Sequence, residues 1–467
     1  MPDRPHIILL LSDEHRGHAM AHAGDANLRT PTMDRMAQEG LSFRRAYANC
    51  PICTPSRGTI FSGRHAHAGP VSGFFDVYKA TAPSTATILR EHGYHTAYFG
   101  KWHCGTVRNQ DPPSVRRHPD EYKGSSQRTP EYHRAGFQDW FAFENLNQHF
   151  ASYYYHNDDI NPTKVDGYET DGLTAVALDY LERYDRDEPL FLVLSVTPPH
   201  FPLIVPDKWK RFDPDKLEVR PNFNQLDPFF VSEDERTDED MRECLANYYA
   251  MIENLDWNLG RVMDAFEANE RFANTLCVYT SDHGDYMGSH GLLATKIEHH
   301  EESVRVPALF HWPQQIPATG AADGLFSLVD LMPTMLGLAD VPVPVHNQGT
   351  DFSPLLRGRP EAVDTPTEVL LEMVNNPRWN LRFLDWRGLV TERWKYAYCE
   401  TGREVLFDLD NDPYEMNNLA AADPEQCAAM RQRLLDVLAE TREPYFDVLI
   451  EHGVPAEGPV IDVSKCE

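Results

Sequence analysis

Acidic residues follow two strongly apolar stretches of the chain. Asp13 and Glu14 come just after HIILLL, and Asp282 and His283 come directly after TLCVYTS. Carboxylates that converge at strand ends repel one another unless a cation or protons lie between them, so the simplest interpretation is a divalent metal. Oxygen ligands favour calcium, magnesium or manganese, and a histidine ligand shifts the preference toward manganese or another transition metal. The alternative is that these residues are ordinary loop caps, which explains Asp13 alone better than it explains both pairs.

Basic side chains recur at equivalent places, after a strand or in a loop bordering one: Arg57, Lys101, His103, His200 and Lys296. An arginine supplies a planar fork of donors for a tetrahedral oxyanion, and a lysine supplies a compact charge. A metal with several cationic donors stabilises a sulfuryl or phosphoryl group in transfer. A lone histidine such as His200 is more often structural, but four partners at similar positions favour a catalytic role. The adjacent His299 and His300 are expected on a solvated face, and His290 is ambiguous.

The segment NCPICTPSRGTIFSGR contains Cys50 and Cys53 in a C-x-x-C spacing. A redox motif of this kind requires a thioredoxin-like βαβ scaffold, and a structural zinc site requires a second cysteine or histidine pair at matching spacing. The chain provides neither, so both interpretations are weak. The eight cysteines are scattered, which argues against a disulfide framework. The continuation Cys53-Thr-Pro-Ser-Arg is the more specific pattern.

Strand-like and helix-like segments alternate along most of the chain, which predicts an α/β fold with a large, mostly parallel sheet sandwiched by helices. In such sheets the ligand site lies beyond the carboxyl ends of the strands, where the polar clusters fall. Short strands and a helix near the C-terminus predict a smaller α+β domain with an antiparallel sheet. The predicted domains are residues 1–375, catalytic, and 376–467.

Two segments depart from the alternation and are expected to be long excursions over the surface, residues 108–165 and 206–240. Walls of a substrate pocket are expected from the first excursion and from the C-terminal domain. The candidates are His149, Tyr154, Asn375 and Arg378.

Composition limits the partners. The chain has 467 residues, a formal net charge of -29 and a hydrophobic fraction of 41%. The acidic balance argues against nucleic acid and anionic membrane surfaces, which require a basic footprint. No apolar run approaches the roughly 20 residues of a membrane span, and the N-terminal apolar run is too short for a signal-peptide core. We therefore expect a cytoplasmic protein, and a homo-oligomer remains open.

Several motifs in one order resemble the sulfatase family of the alkaline phosphatase superfamily. They are TPTMDRMAQEG, CTPSRGTIFSGR, GKWHCG, TPPHFP, TSDHGDYMGSHGLLATK and VLFDLDNDPYEMNNLA, and they extend over most of the chain. The resemblance implies a formylglycine-dependent type I sulfatase with an alkaline phosphatase-like fold. In that family the motif cysteine is oxidised to formylglycine, whose hydrate is the nucleophile. The resemblance places this residue at Cys53, leaves Cys50 without a role, and implies a maturation enzyme as a partner.

The resemblance also implies a ligand set. Metal ligands would be Asp13, Asp282, His283 and the modified Cys53, with Glu14 less well supported because many sulfatases have an Asp pair there. Calcium is the expected ion, with manganese or magnesium as alternatives. Many sulfatases have Asp-Asn where this chain has Asp282-His283. The Asp-His form resembles the phosphonate and phosphodiester monoester hydrolases of the same family, and that activity is the alternative.

The mechanism implied by the resemblance assigns a role to each basic residue. Arg57, Lys101, His200 and Lys296 would hold the equatorial oxygens of the sulfuryl group. His200 or Lys296 would protonate the leaving alcohol, and His103 would assist release of sulfate. The expected substrate is a small-molecule or saccharide sulfate ester.

Overall fold

The structure is a computed structural model that describes residues 4–74, 76–105, 128–225, 230–231, 237–292, 296–374, 385–443 and 461–462. Its strands are β1 (His6–Asp13), β2 (Leu41–Tyr47), β3 (His95–Lys101), β4 (Asp139–Phe143), β5 (Tyr153–His156), β6 (Thr163–Lys164), β7 (Leu190–Pro199), β8 (Phe230–Val231), β9 (Thr275–Ser281), β10 (Ala308–His311), β11 (Gly320–Ser327), β12 (Glu368–Met373), β13 (Trp386–Thr391), β14 (Trp394–Cys399), β15 (Glu404–Asp408) and β16 (Ile461–Asp462). Its α-helices are α1 (Pro31–Glu39), α2 (Cys53–Ser62), α3 (Thr85–Glu91), α4 (Glu169–Arg183), α5 (Asp238–Glu267), α6 (Glu301–Val304), α7 (Leu331–Leu338), α8 (Ser353–Leu356) and α9 (Pro424–Thr441).

Within the described residues, ten strands form the main sheet in the order β11-β2-β10-β9-β1-β7-β3-β4-β5-β6. Neighbours run parallel from β9 through β1, β7 and β3 to β4, while β10 and β5 are antiparallel to both of their neighbours. The predicted large, mostly parallel sheet is confirmed. In the described part of the chain, none of the helices has an apolar stretch long enough to cross a membrane.

The apolar strand β1 shows why helices cover both faces of the sheet. Ile7, Leu9 and Leu11 belong to one core cluster, which includes side chains of α2, α3 and α7. Ile8 and Leu10 belong to the other, which includes side chains of α1, α4 and α5. Because side chains alternate between the faces of a strand, a continuous apolar run is what a doubly covered strand requires.

A smaller antiparallel sheet has the order β12-β13-β14-β15, and α9 packs on it through Met430, Leu434 and Leu438. The predicted C-terminal antiparallel sheet and helix are therefore confirmed. Its first strand, β12, precedes the predicted boundary at residue 376, so the sheet takes one strand from the residues assigned to the catalytic domain. The division at 375/376 stays a prediction.

The expected excursion at 108–165 is partly wrong. Residues 106–127 lie outside the described part of the chain, but β4, β5 and β6 extend the main sheet at its edge. In β4 the side chains of Trp140, Ala142 and Phe143 are buried, so the aromatic run that looked like a surface loop supplies sheet and core. Residues 206–225 contain short 3-10 turns, and α5 begins at Asp238, just inside the second expected excursion.

Buried charges join the small sheet to the main unit. Glu372 on β12 accepts a hydrogen bond from His67 Nδ1 at 2.7 Å and another from the backbone N–H of Ala66 at 2.6 Å. Burial alone would raise the pKa of Glu372, but the charge and hydrogen bond of His67 lower it to about 2. Burial opposes protonation of His67, yet Glu372 raises its pKa above 6.5. The pair links the loop after α2 to the small sheet.

Stability should therefore depend on this pair within a defined pH window. Because folding raises the pKa of His67, its pairing stabilises the fold fully below pH 6.5. This stabilisation is lost as the pH rises through the pKa of His67 in the folded state. Because folding lowers the pKa of Glu372, its carboxylate stabilises the fold fully above pH 4.5. This stabilisation is lost as the pH falls toward 2. We expect the melting temperature of Glu372→Gln to lie furthest below that of the native chain between about pH 4.5 and 6.5. Glu361→Gln, at an exposed position, is the control, and a difference that does not vary with pH would contradict the assignment.

Candidate active site

The predicted site residues meet at the carboxyl ends of four adjacent strands. Asp13 ends β1 and Lys101 ends β3, while Asp282 and His200 directly follow β9 and β7. The register pairs Ser12 with Ser281 and Asp13 with Pro199, which brings these ends to one level. The parallel arrangement therefore collects residues that are far apart in the sequence, as the strand-end pattern predicted.

Cys53 is the first residue of α2 and is 2% exposed. Its Sγ lies 3.2 Å from His283 Nε2 and 3.6 Å from Asp13 Oδ1. Burial and the neighbouring Asp13 raise the pKa of the thiol to about 12. Cys50, in contrast, lies in the apolar cluster between the two sheets and makes no part of this group. The structure thus separates the two cysteines of the C-x-x-C pattern.

Asp13, Cys53, Asp282 and His283 form a group in which one ligand atom of each lies within 4.8 Å of all the others. His283 Nδ1 donates to the Gly284 carbonyl at 2.9 Å, so the lone pair of its Nε2 is directed at the group. Asp282 Oδ1 is buried without a hydrogen bond. An unsatisfied carboxylate oxygen and an imidazole lone pair facing other acidic groups fit a divalent cation.

Arg57 and Lys101 hold the carboxylates of this group. Both are 0% exposed. Arg57 donates through Nε to Asp282 Oδ2 at 2.9 Å and through Nη1 to the Lys101 carbonyl and Ser195 Oγ at 2.8 and 2.9 Å. Lys101 Nζ lies 2.5 Å from Asp13 Oδ2. Burial alone would raise the pKa of Asp13, but Lys101 and the other cations hold it well below its usual value. Through these donors Arg57 orients the carboxylates of the candidate metal group, and its predicted contact with an oxyanion stays a prediction.

Glu14, His200 and Lys296 form a second unit. Lys296 Nζ pairs with Glu14 Oε1 and lies 3.0 Å from His200 Nε2, and His200 Nε2 lies 3.1 Å from Glu14 Oε1. His200 Nδ1 donates to the Phe201 carbonyl at 2.6 Å, which leaves Nε2 to face Lys296. Glu14 has φ 68°, a left-handed conformation unusual for a residue with a side chain. Glu14 pairs with Lys296, and its carboxylate also lies with Asp13 and His200 in a group whose ligand atoms are within 4.8 Å of one another, so its role as a metal ligand stays a prediction.

His103 lies beside the site at the end of the GKWH motif. It is 8% exposed, has φ 58°, and meets the Phe74 ring edge-on at a centroid distance of 5.5 Å. Burial and the neighbouring Lys101 and Arg57 charges hold its pKa well below the usual value. The lowered pKa favours the neutral form of His103 at physiological pH.

Three histidines expected at exposed positions are buried in the structure. His299 and His300, expected on a solvated face, are both 0% exposed because the small sheet covers them, with Phe407 against both rings. His149, expected in a pocket wall, is also 0% exposed, while Tyr154 is half-buried on β5. Asn375 and Arg378 lie outside the described residues. Ser195, which anchors Arg57, had no signal in the sequence because it lies inside an apolar strand.

His290, Glu302 and Glu415 form a further buried group with ligand atoms within 4.8 Å of one another. Its charges are already compensated: Arg220 donates to Glu302 Oε1 at 2.8 Å, and Asn222 Nδ2 donates to Glu302 Oε1 and lies 3.0 Å from His290 Nε2. We interpret this group as a polar network that ties loops to the C-terminal unit.

Two family models match the chain. The model described as Sulfatase matches residues 5–341, and the model described as N-sulphoglucosamine sulphohydrolase, C-terminal, matches residues 288–444. Together they cover both the main sheet and the small one. The first match includes every residue of the two units described above.

Known proteins resemble the chain over most of its length. It is 32% identical to the ulvan-active sulfatase of Formosa agariphila over 90% of this chain and 77% of the relative. The putative sulfatase yidJ of Bacteroides fragilis superimposes with a TM-score of 0.83 and 27% identity, covering 96% of this chain and 98% of the other. The phosphonate monoester hydrolase of Agrobacterium radiobacter superimposes with a TM-score of 0.74, covering 94% of this chain and 96% of the other. At 22% identity this similarity shows only the fold.

The pairing of Glu14 with Lys296 predicts different effects of removing the charge of Asp282 and that of Glu14. Asp282→Asn should lose bound divalent metal, with affinity reduced by at least about tenfold, because it removes a charge from the four-residue group. Glu14→Gln should keep the metal, because its carboxylate pairs with Lys296. Metal content after dialysis, measured by elemental analysis, distinguishes the two. An equal loss from Glu14→Gln would mean that Glu14 is a ligand, as the sequence suggested.

Proposed function

The chain belongs to the sulfatase family and is a sulfatase, and we propose that it hydrolyses a sulfate monoester with a formylglycine made from Cys53. The observation that carries the proposal is the position of Cys53 Sγ inside the group with Asp13, Asp282 and His283. The motif Cys53-Thr-Pro-Ser-Arg57 at the start of α2 matches the family pattern for conversion, and a maturation enzyme is proposed as the partner that converts it. The hydrated aldehyde would supply one hydroxyl for attack on sulfur and a second for expulsion of sulfate.

Asp13, Asp282 and His283 would hold the metal together with the modified residue 53. The ion would supply Lewis-acid chemistry and compensate the converging carboxylates. We propose calcium because two carboxylates dominate the set, with manganese or magnesium as alternatives given the imidazole ligand. Arg57 fixes Asp282, and Lys101 fixes Asp13, so both carboxylates have one preset orientation.

Lys296 and His200 are assigned to the leaving group. Lys296 keeps its proton, because burial would lower its pKa but the Glu14 carboxylate raises it above the usual value. It can pass a proton to His200 Nε2, 3.0 Å away, or donate directly to the ester oxygen. His103, neutral and beside Lys101, is assigned the base that assists release of sulfate.

A sulfated saccharide is the proposed substrate class. A relative is named for activity on ulvan, and the C-terminal model is named for a sulphoglucosamine hydrolase. Ulvan fragments are therefore the first natural substrate to assay, alongside small-molecule sulfate esters. The cytoplasmic location stays a prediction.

Conversion of Cys53 is tested by tandem mass spectrometry of the tryptic peptide Ala46–Arg57, which contains both cysteines. We expect an aldehyde at Cys53 and an intact thiol at Cys50. Cys53→Ala should lower kcat/KM for an aryl sulfate by about 10⁴-fold or more, because it removes the nucleophile. Cys50→Ala, a matched control in an apolar cluster, should change it by less than about threefold. A thiol at both positions in active enzyme would refute the proposal.

The alternative activity is that of a phosphonate or phosphodiester monoester hydrolase, which the Asp282-His283 pair favours through its resemblance to those enzymes. Comparing kcat/KM for an aryl sulfate and an aryl phosphonate monoester with the same leaving group separates the two. We expect the sulfate to react faster, by at least about tenfold, which corresponds to about 1.4 kcal/mol of transition-state stabilisation. A faster phosphonate reaction would assign the chain to the alternative.

A further inference from the structure

His200 is carried by a turn at the carboxyl end of β7. It follows the last residue of β7, and its ring is held toward Lys296 by the hydrogen bond from Nδ1 to the Phe201 carbonyl. The His200 N–H donates to the Thr197 carbonyl at 3.0 Å, which closes residues 197–200 into a turn. The direction of the ring therefore depends on how this backbone is fixed.

A buried pair outside the site holds the turn at both ends. His149 Nε2 donates to the His200 carbonyl at 2.9 Å, and Glu169 Oε1 accepts from the Thr197 N–H at 2.7 Å. Both side chains are 0% exposed, so neither can touch substrate from solvent. His149 Nδ1 lies 3.7 Å from Glu169 Oε2, and the Glu169 N–H donates to the His149 carbonyl at 2.7 Å. The pair therefore acts as one unit.

The surroundings of the pair indicate that it does more than fill space. Glu169 is the first residue of α4, where the positive end of the helix favours a carboxylate. Its Oε2 also accepts from Ser152 Oγ at 2.5 Å. A fully buried carboxylate and imidazole are costly unless both are paired, and an apolar pair would fill the same space without that cost. Here His149 and Glu169 instead make hydrogen bonds to the backbone of the turn that carries His200.

We propose that His149 and Glu169 are positioning residues for the proton transfer at the leaving group, acting by fixing the turn that carries His200. The inference rests on the proposed function, in which His200 and Lys296 serve the leaving group. It assigns a role to His149 that differs from the pocket wall expected from sequence. We expect a shifted turn to move the His200 ring relative to Lys296 and to leave the group around Cys53 occupied as in the native chain.

The test compares two sulfate esters, one with an acidic phenol that leaves unaided and one with an alkyl alcohol that needs a proton. His149→Phe replaces the imidazole with another planar ring but removes the Nε2–H that donates to the His200 carbonyl. We expect kcat for the alkyl sulfate to fall by at least tenfold while kcat for the nitrophenyl sulfate changes less than threefold. Combining it with His200→Ala should give no further loss for the alkyl ester, because both act at one step.

Conservative variants and controls separate positioning from general damage. His149→Gln places an amide donor where Nε2 was and should restore most of the alkyl sulfate activity. His156→Gln, at an exposed position on β5, should change neither substrate. Formylglycine and metal content should equal those of the native chain in every variant. If His149→Phe does not fold, Glu169→Gln should show the same selective loss.

Two results would overturn the inference. Equal losses for both esters, or no rescue by a folded His149→Gln, would reduce the pair to a packing role. Failure of the proposed function is distinguishable, because the native chain would then hydrolyse neither ester, and the inference would fall with it.

Discussion

Burial of opposite charges at one point organises this molecule. Asp13, Asp282, Arg57 and Lys101 are all 0% exposed. In such a place an unpaired charge is strongly destabilising, and removal of one partner of a buried pair typically costs about 3–5 kcal/mol. Arg57 meets this constraint by bridging, since it contacts both carboxylates and the carbonyl of Lys101. The strand ends and helix α2 can therefore approach only in one arrangement.

That arrangement also fixes Cys53. Arg57 lies one helical turn after Cys53 on α2, so the guanidinium that binds Asp282 orients the helix whose first residue bears the thiol. Ser56 adds a second tie, donating from Oγ to the Asp282 carbonyl at 2.5 Å. The helix is buried along its whole length, which no amphipathic pattern would predict. Its first turn contacts the site through Cys53, Ser56 and Arg57, while Ile60 and Phe61 later in the helix pack in the apolar core.

Local pattern was enough to predict which strand ends meet at the proposed metal site. Asp13, Lys101 and Asp282 each end or follow an apolar strand, and parallel strands bring such ends together whatever the loops do. The direction of a side chain was not predictable in the same way. Glu14 turns to Lys296, 282 positions away, and no signal short of the folded structure pairs them. Burial of His149, His299 and His300 was missed for a related reason: histidine is intermediate in its preference for the interior, and the elements that cover these rings are distant in sequence.

Two consecutive residues serve two different halves of the site, and the backbone explains how. Asp13 ends β1 in the sheet, with its carboxylate toward Cys53 and Lys101. The next residue, Glu14, adopts φ 68°, which breaks the alternation of the strand and sends its side chain toward His200 and Lys296. The Glu14 carbonyl accepts from Tyr248 Oη at 2.6 Å, so α5 stabilises this conformation from outside the site. A non-glycine residue in this region costs of order 1–3 kcal/mol. The strained conformation is retained because it lets the Glu14 carboxylate hold the ammonium of Lys296 beside His200.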